Sequence, residues 1–365
     1  MNRFRPLLIL AASGWLTATA SATQPGAALV QKEYQVSMEK WTLELKIANT
    51  AESRQAVMQK RPDPYAYSRR MWKEIAPSLK DEWTLEPAAW FLSLTSGLMT
   101  QNPDGGTSPT FAKETDAIRA AIDAHHTGSN KLAPVCLALA SRSDPKALSL
   151  LDKIESNNPD KKVQGVAALA AAMVIKSLGD DAELMKKRLT LIRKAIIQSA
   201  DVELNGTTVA KLADDELYII KFLTKGRVAP DLQGVDSGGR PVRLSDHKGK
   251  VIVLMFWNST LFDIDRLLQF SASLEEKFKG RPFVLIGVNN DQVEKLREQE
   301  AGGIRWQNFS DPENKLAAEY RVGTWPLAYV LDGDRKIQYA GQPGSFVELT
   351  ADALLSPPSP PPAKK

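Results

Sequence analysis

The stretch VIVLMFW at residues 251–257, followed directly by NSTLFDI at residues 258–264, decides the fold of the C-terminal part of this chain. The first seven residues are all apolar, a pattern typical of a central strand that is buried on both faces of its sheet. Residues 258–260 then supply side chains that favour the N-terminus of a helix, which we predict from about Asp263 to Lys279. A strand that leads into a helix in this way indicates an α/β domain.

The segments on either side of this stretch alternate between strand and helix patterns, which predicts strands interleaved with helices. Upstream, an extended segment begins at residues 229–231 and a hairpin turns at residues 236–239. Downstream we predict a buried strand, two helices, a hairpin and a final helix, with these bounds: Phe283–Val288, Asp291–Glu300, a helix after Asp311 that ends near Tyr320, Leu327–Leu331 paired with Lys336–Ala340, and Ser345–Leu355.

Three stretches of this region resemble a known family: APDLQGVDSGGRPVRLSDHKGKVIVLMFW, IGVNNDQ and YRVGTWPLAYVLDGDRKIQYAG. In their order and spacing they are similar to secreted thioredoxin-like proteins of the TlpA/redoxin type, in the AhpC/TSA group. The resemblance implies an α/β thioredoxin-like fold for residues 226–355 and thiol-disulfide exchange as the activity of the family. It also implies that Pro326, after Trp325, is the cis-proline that faces the reactive site.

The reactive cysteines of that family are missing from this domain. Where the family carries Cys-x-x-Cys after a strand that ends in Phe-Trp, this chain has Leu261 and Ile264. Thiol-disulfide exchange needs a thiolate and a second thiol, and the single cysteine of the chain is Cys136, far upstream. We therefore predict a redox-inactive member of the family with no catalytic residue at this site. Whether the chain is an enzyme stays open, with a binding protein favoured.

The same site can still bind polypeptide, because the main-chain hydrogen bonds that the family makes beside its cis-proline do not require sulfur. The predicted binding residues would form an apolar patch near that proline: Trp257, Leu261, Phe262, Ile264, Trp325 and Pro326. The alternative is that these side chains belong to the core. We expect a peptide or protein partner, while two other functions remain open. One is residual or assisted oxidoreductase activity, and the other is a scaffold role for the helical region.

Residues 1–22 have the pattern of a secretory signal peptide. Arg3 and Arg5 precede an apolar run at residues 7–16, and residues 20–22 (Ala-Ser-Ala) match a cleavage site. The apolar run is shorter than the roughly 20 residues that span a bilayer. We therefore expect cleavage, export to the periplasm or the extracellular space, and no stable membrane insertion of the mature chain.

Residues 23–225 are predicted to form an all-α helical domain that precedes the α/β domain. Apolar residues recur at helical spacing, and helices are expected over Val163–Leu178, Leu184–Ile197 and Val209–Phe222. The first of these is apolar enough to be buried on most sides. The loop Asn102–Thr110 separates an N-terminal subregion, and the succession of helices with short connections indicates an antiparallel array.

Composition argues against several classes of function. The formal charge of +4 becomes +2 when Arg3 and Arg5 are removed with the signal peptide, which is too little for binding nucleic acid through a basic surface. The three histidines (His125, His126 and His247) have no cysteine or carboxylate at metal-ligand spacing, so neither a metal nor a cofactor is predicted.

Two further features are assigned structural roles. Cys136 lies among leucines and valine, so we predict a buried side chain rather than a reactive thiol, although a mixed disulfide with a partner remains an alternative. Residues 356–365 are rich in proline, which predicts an extended and disordered tail. The sequence does not indicate an oligomeric state.

Overall fold

The computed structural model describes residues 25–48, 50–141, 144–179, 181–204, 206–259 and 264–356, without the side chains of residues 51 and 54. The signal-peptide prediction, the site residues Leu261 and Phe262, and the tail prediction beyond Ser356 fall on residues outside this set. The chain divides into two compact units, Met1–Glu216 and Leu217–Lys365. The division falls inside a helix, upstream of the boundary expected after residue 225.

The first unit is built mainly of α-helices, with these bounds: α1 Pro25–Ile47, α2 Ala51–Gln59, α3 Pro64–Ile75, α4 Leu85–Thr95, α5 Ala112–Ala121, α6 Ala133–Ala140, α7 Lys146–Asn157, α8 Lys161–Lys176, α9 Ala182–Ser199 and α10 Val209–Phe222. It also contains two short antiparallel hairpins, β1 Met99–Gln101 with β2 Thr107–Pro109, and β3 Glu203–Leu204 with β4 Thr207–Thr208. The region is largely helical, as predicted, and the turn residues of the predicted loop Asn102–Thr110 close the first of these two hairpins.

The helices of this unit pack in a series of neighbours. Helix α1 contacts α3, α3 contacts α4, α4 contacts α6, α6 contacts α8, and α8 lies between α7 and α9. Twelve of the sixteen residues of α8 are buried, as its apolar composition predicts. A Cβ atom at Gly165 would lie 2.3 Å from Ser199 Oγ of α9, so glycine is what allows these two helices to approach so closely.

One buried ion cluster of this unit has no counterpart in the sequence analysis. Arg188 is fully buried, and its Nη2 lies 3.0 Å from Glu216 Oε2. Lys176 Nζ lies 3.1 Å from the other carboxylate oxygen, Oε1. Burial of a charge is unfavourable unless it is paired, and here one carboxylate contacts two cations.

The second unit contains a five-stranded sheet flanked by helices. Its elements are β5 Gln233–Val235, β6 Pro241–Arg243, β7 Val251–Trp257, α11 Ile264–Lys277, β8 Phe283–Asn289, α12 Val293–Ala301, β9 Gln307–Ser310, α13 Lys315–Glu319, β10 Leu327–Leu331, β11 Ile337–Gly341 and α14 Ser345–Leu355. The strand order is β11-β10-β7-β8-β9. Strands β7, β8 and β9 are parallel, whereas β10 is antiparallel to both β7 and β11. The sequence analysis did not predict β9.

The two faces of this sheet form two separate cores. Because side chains alternate along a strand, Phe256 of β7 faces one layer and Trp257 faces the other. The Phe256 layer is covered by the β5–β6 hairpin, α13 and the end of α10. The Trp257 layer is covered by α11, α12 and α14. All seven residues of β7 are buried, as predicted for a central strand.

This arrangement is the α/β thioredoxin-like fold that the resemblance implied. A hairpin precedes a βαβ unit, a third parallel strand extends the sheet, and an antiparallel hairpin and a last helix complete it. The peptide bond between Trp325 and Pro326 is cis, which confirms the cis geometry that the resemblance implied for Pro326. Within the described residues, no helix combines the length and the apolar character needed to cross a bilayer.

Candidate functional site

The start of the loop after β7 is held by the carboxylate of Asp291. The backbone N–H of Ser259 donates to Asp291 Oδ2 at 2.8 Å, and the Ser259 hydroxyl donates to Oδ1 at 3.1 Å. Asp291 is itself fixed by Asn289 at the end of β8, whose Nδ2 donates to Oδ2 at 3.0 Å and whose Oδ1 accepts the Asp291 N–H at 2.9 Å. The loop is therefore anchored by polar contacts at the carboxyl ends of neighbouring strands. Sequence reasoning did not single out Asp291.

The segment before the cis-proline has no main-chain hydrogen-bond partner among the residues that the structure describes. Gly323 and Thr324 are exposed and Trp325 is half-buried. Strand β10 begins only at Leu327, which pairs with Phe256. Among the described residues, no backbone hydrogen bond is formed by the N–H or C=O groups of residues 323–325. We call residues 323–325 the open segment.

Trp325 of the open segment packs against a cluster of aromatic side chains. The ring of Trp325 lies 6.2 Å from that of Phe256 at an interplanar angle of 80°, an edge-to-face geometry that aromatic pairs favour. Tyr320 and Tyr329 also contact Phe256, and the Tyr320 hydroxyl donates to the Pro230 carbonyl at 2.7 Å. The tryptophan therefore rests on a packed core and keeps part of its surface exposed.

The structure separates the residues that the sequence analysis assigned to one patch. Trp257 is fully buried, and its Nε1 donates to Asn308 Oδ1 at 3.0 Å. It faces the opposite layer from Trp325, so Trp257 is a core residue and not part of a binding surface. Ile264 is half-buried against the Trp257 layer. Of the described residues in the predicted patch, Trp325 and Pro326 remain beside the open segment.

The thiol of Cys136 is closed off from chemistry. Cys136 is fully buried in α6 of the first unit, and burial raises the pKa of its thiol to about 12. Because the thiolate is the reacting species, this side chain is neutral near pH 7 and inaccessible to a disulfide. The position agrees with the prediction of a buried, apolar role.

Other polar groups are engaged structurally. His126 is buried, and its Nε2 donates to the Leu79 carbonyl at 2.8 Å. Across the described ranges, no group of three or more His, Cys, Asp and Glu side chains is arranged to hold a metal ion. A cavity of about 550 Å³ lies between the β5–β6 hairpin and β9. Its polar side chains bond to one another, as in the contacts of Arg240 with Asp236 and of Ser237 with Glu300.

Comparisons with known proteins find similarity across most of the second unit. The model of the AhpC/TSA family matches residues 225–340. The thiol-disulfide oxidoreductase ResA of Bacillus anthracis is 25% identical over 114 residues, which is 31% of this chain and 66% of that protein. This chain therefore spans slightly less than two thirds of that relative's length. ResA of Geobacillus kaustophilus is 26% identical over 158 residues, covering 42% of this chain and 88% of that protein.

One solved structure is also similar to part of the chain. The chain resembles a putative thiol:disulfide interchange protein DsbE from Chlorobium tepidum at 24% identity, with 36% of this chain and 99% of the other covered and a TM-score of 0.35. The family model and the sheet topology together establish a C-terminal thioredoxin-like domain. The resemblance seen in the sequence is thereby confirmed for about one third of the chain.

Proposed function

We propose that the second unit is a redox-inactive thioredoxin-like domain that binds extended polypeptide at the open segment. The observation that carries the proposal is that the main chain of residues 323–325, just before β10, forms no backbone hydrogen bond with the rest of the described chain. An extended peptide that adds to exposed main-chain groups gains affinity from backbone hydrogen bonds and specificity from side-chain contacts. The half-buried Trp325 supplies an apolar contact beside those groups.

The absence of thiol chemistry rests on the sequence. No cysteine occurs after Cys136, so Leu261 and Ile264 leave the family's reaction without a nucleophile or a resolving thiol. The hydroxyl of Ser259 donates to Asp291, but that carboxylate also accepts the Ser259 N–H and the Asn289 amide. These bonds hold the start of the loop and account for the hydroxyl without making it a nucleophile.

Residual thiol-disulfide exchange is the second candidate, and the names of the relatives favour it. It would have to use Cys136, because that is the only thiol. Complete burial and a pKa of about 12 oppose this reaction. We therefore rank it below polypeptide binding, and we place the protein in the cell envelope on the strength of its N-terminal segment.

Binding is tested with a permanently unfolded, alkylated polypeptide and the exported protein. We expect saturable binding that slows amide exchange at residues 323–325. Trp325→Ala should weaken binding by at least about 10-fold, since a truncated aromatic anchor typically costs more than 1 kcal/mol. The matched control is Phe346→Ala, because Phe346 is an aromatic residue of the same unit that is 71% exposed. This control should bind normally.

Two results would contradict the proposal. Equal affinity of the Trp325→Ala variant and the parent, with no change of exchange at residues 323–325, would remove the site. Turnover of a disulfide by the purified protein, lost in a Cys136→Ser variant, would remove the claim of redox inactivity and support the second candidate.

A further inference from the structure

Helix α14 exposes apolar side chains on the side opposite its buried residues. Val347 and Ala351 are buried in the second unit, whereas Phe346 is 71% exposed and Leu349 is 62% exposed. Ala353 is exposed as well. Single exposed apolar residues are ordinary on protein surfaces, so the question is whether these three are organised and what could cover them.

Their spacing places them in one line along the helix. At 3.6 residues per turn, Phe346, Leu349 and Ala353 fall within an arc of about 60°, and at 1.5 Å per residue the line is about 10 Å long. One end of the line is aromatic on two sides, because the Phe346 ring stacks on that of Tyr339, with centroids 6.3 Å apart and an interplanar angle of 15°. We call these four residues the α14 patch.

The α14 patch contains no charge. The two charged residues of the helix, Glu348 and Asp352, lie beside it and are paired. Lys277 Nζ lies 2.7 Å from Glu348 Oε1, and Arg281 Nη1 lies 3.1 Å from Asp352 Oδ1. The surface that α14 leaves open is therefore apolar and partly aromatic, which favours an uncharged occupant.

The sequence that directly follows α14 has matching chemistry. Ser356 leaves the helix with an extended backbone, at φ −78° and ψ 142°, and PPSPPP follows at residues 357–362. This segment contains no charged residue, and all of its residues but one are proline. Proline-rich segments favour the polyproline II helix, which needs no internal hydrogen bonds and docks on surfaces lined by aromatic rings.

We propose that residues 357–362 fold back as a polyproline II helix onto the α14 patch of the same chain. With three residues per turn and 3.1 Å per residue, prolines on one ridge recur about every 9 Å, as Pro357 and Pro360 would. This repeat matches the line of about 10 Å from Phe346 to Ala353. The inference uses other residues than the open segment and is independent of polypeptide binding there.

The length of the segment allows this contact within one molecule. Ser356 lies ten residues after Phe346, which is about 15 Å along a helix, whereas residues 357–362 span about 19 Å as a polyproline II helix. The chain can therefore turn after Ser356 and still reach Phe346. A short tether also gives an effective concentration in the millimolar range, which favours this segment over a second copy or a separate partner.

The test is a distance measurement by electron spin resonance on the exported protein, with nitroxide labels at Gln342→Cys and Ala363→Cys. Cys136 is fully buried, so it should take no label. A segment that folds back should hold the two labels within about 20 Å of each other. A segment that continued away from α14 would instead place residue 363 about 37 Å from Phe346.

Two variants address the two sides of the contact. Phe346→Ala combined with Leu349→Ala should replace the short distance by a broad distribution at longer distances. Serine at all five prolines of residues 357–362 should do the same, because it removes the rings and adds no charge. The matched control is Val228→Ala with Val235→Ala, which removes side chains of the same unit that are 50% and 43% exposed. This control should keep the short distance, and circular dichroism verifies that each variant is folded.

Three outcomes overturn the proposal. The first is a broad, long distance in the parent protein, which would leave the α14 patch uncovered. The second is a short distance that persists in the variant without Phe346 and Leu349. The third is a short distance that appears only when two singly labelled proteins are mixed, because the segment would then cover the patch of a second copy.

Discussion

Cys136 in α6 of the first unit is the only thiol of the chain and is fully buried, whereas residues 323–325 of the second unit carry no sulfur and include the exposed Gly323 and Thr324. A redox-active thioredoxin-like domain needs a thiolate and an access route at the same place. Here the two properties lie in different units. The contrast teaches that the one thiol of the chain lies in the packed interior of the first unit, away from the exposed residues beside the cis-proline.

The largest expected effect comes from returning thiols to the second unit. The double variant Leu261→Cys, Ile264→Cys should reduce insulin disulfides, with dithiothreitol as reductant, at least about 100-fold faster than the parent, because a thiolate pair converts the site to exchange chemistry. A double serine variant at the same positions is the control and should stay at background. An inactive cysteine variant that folds normally would mean that the site has lost more than its sulfur atoms.

The next effect concerns the close packing of the first unit. Gly165→Val should lower the free energy of unfolding by about 3 kcal/mol, because overpacking a tight core costs about 1–3 kcal/mol and sometimes more. The reason is that a Cβ atom added at residue 165 would lie only 2.3 Å from Ser199 Oγ. Thermal unfolding measures the change, and Gly128→Ala is the matched control, since its Cβ would meet only Pro159 at 4.0 Å.

Combining Gly165→Ala with Ser199→Gly sharpens this prediction. The removed hydroxyl vacates the position that the new methyl group would occupy, so the pair should recover part of the loss from Gly165→Ala alone. Strictly additive losses would show that the contact between α8 and α9 is not what limits this core.

Alkaline pH should lower the free energy of unfolding through the buried thiol of Cys136. The folded pKa of Cys136 is raised to about 12 from 9.0, so the unfolded state loses its proton first as the pH rises. Stability is therefore retained below pH 9 and falls towards pH 12, by about 2–3 kcal/mol between pH 9 and pH 11. Denaturant titrations of the parent and Cys136→Ala measure the difference. The comparison is needed because burial raises the pKa of Tyr320 and Tyr329 as well.

If the free energy of unfolding depended on pH equally in the parent and in Cys136→Ala, the raised pKa of Cys136 would be contradicted. It would mean that Cys136 ionises in the folded state near its ordinary pKa, and therefore that the thiol has access to water.

The smallest effect concerns the buried hydrogen bond between Trp257 and Asn308 in the second unit. Asn308→Leu should cost about 1–3 kcal/mol, because it leaves the buried indole Nε1 of Trp257 without its acceptor. Trp257→Phe removes the donor instead and should cost less at this bond. Chemical denaturation compares the two. Equal stability of Asn308→Leu and the parent would show that water or another acceptor reaches the indole.

Much of the second unit could be predicted from its residues. The apolar run of β7 and the turn at residues 236–239 are local signals, and α14 has the predicted bounds. The cis bond before Pro326 was implied by the family resemblance. Strand β9 was missed because it reads Gln-Asn-Phe-Ser and lacks an alternating apolar pattern. Its buried Asn308 accepts a hydrogen bond from Trp257, which lies 51 residues away in the sequence. A single-sequence pattern contains no record of such a pair.

The candidate site was harder to predict than the fold. Trp257 and Phe256 are adjacent in sequence, so only the direction of the strand decides which of them shares a layer with Trp325. The free main chain of residues 323–325 depends on where β10 begins to pair with β7. Asp291 lies within the stretch IGVNNDQ, but its contact with Ser259 follows from the meeting of two strand ends.

Residues 226–228, which precede β5, form hydrogen bonds with one edge of the sheet. The N–H of Gly226 donates to the Ile337 carbonyl at 2.7 Å, the N–H of Ile337 donates to Arg227 at 2.8 Å, and Val228 bridges Lys336. Unpaired edge strands can pair with strands of other molecules and so promote aggregation. Because this stretch occupies the first part of β11, and β9 at the other border has only four residues, a crowded solution of this protein should resist forming intermolecular sheets.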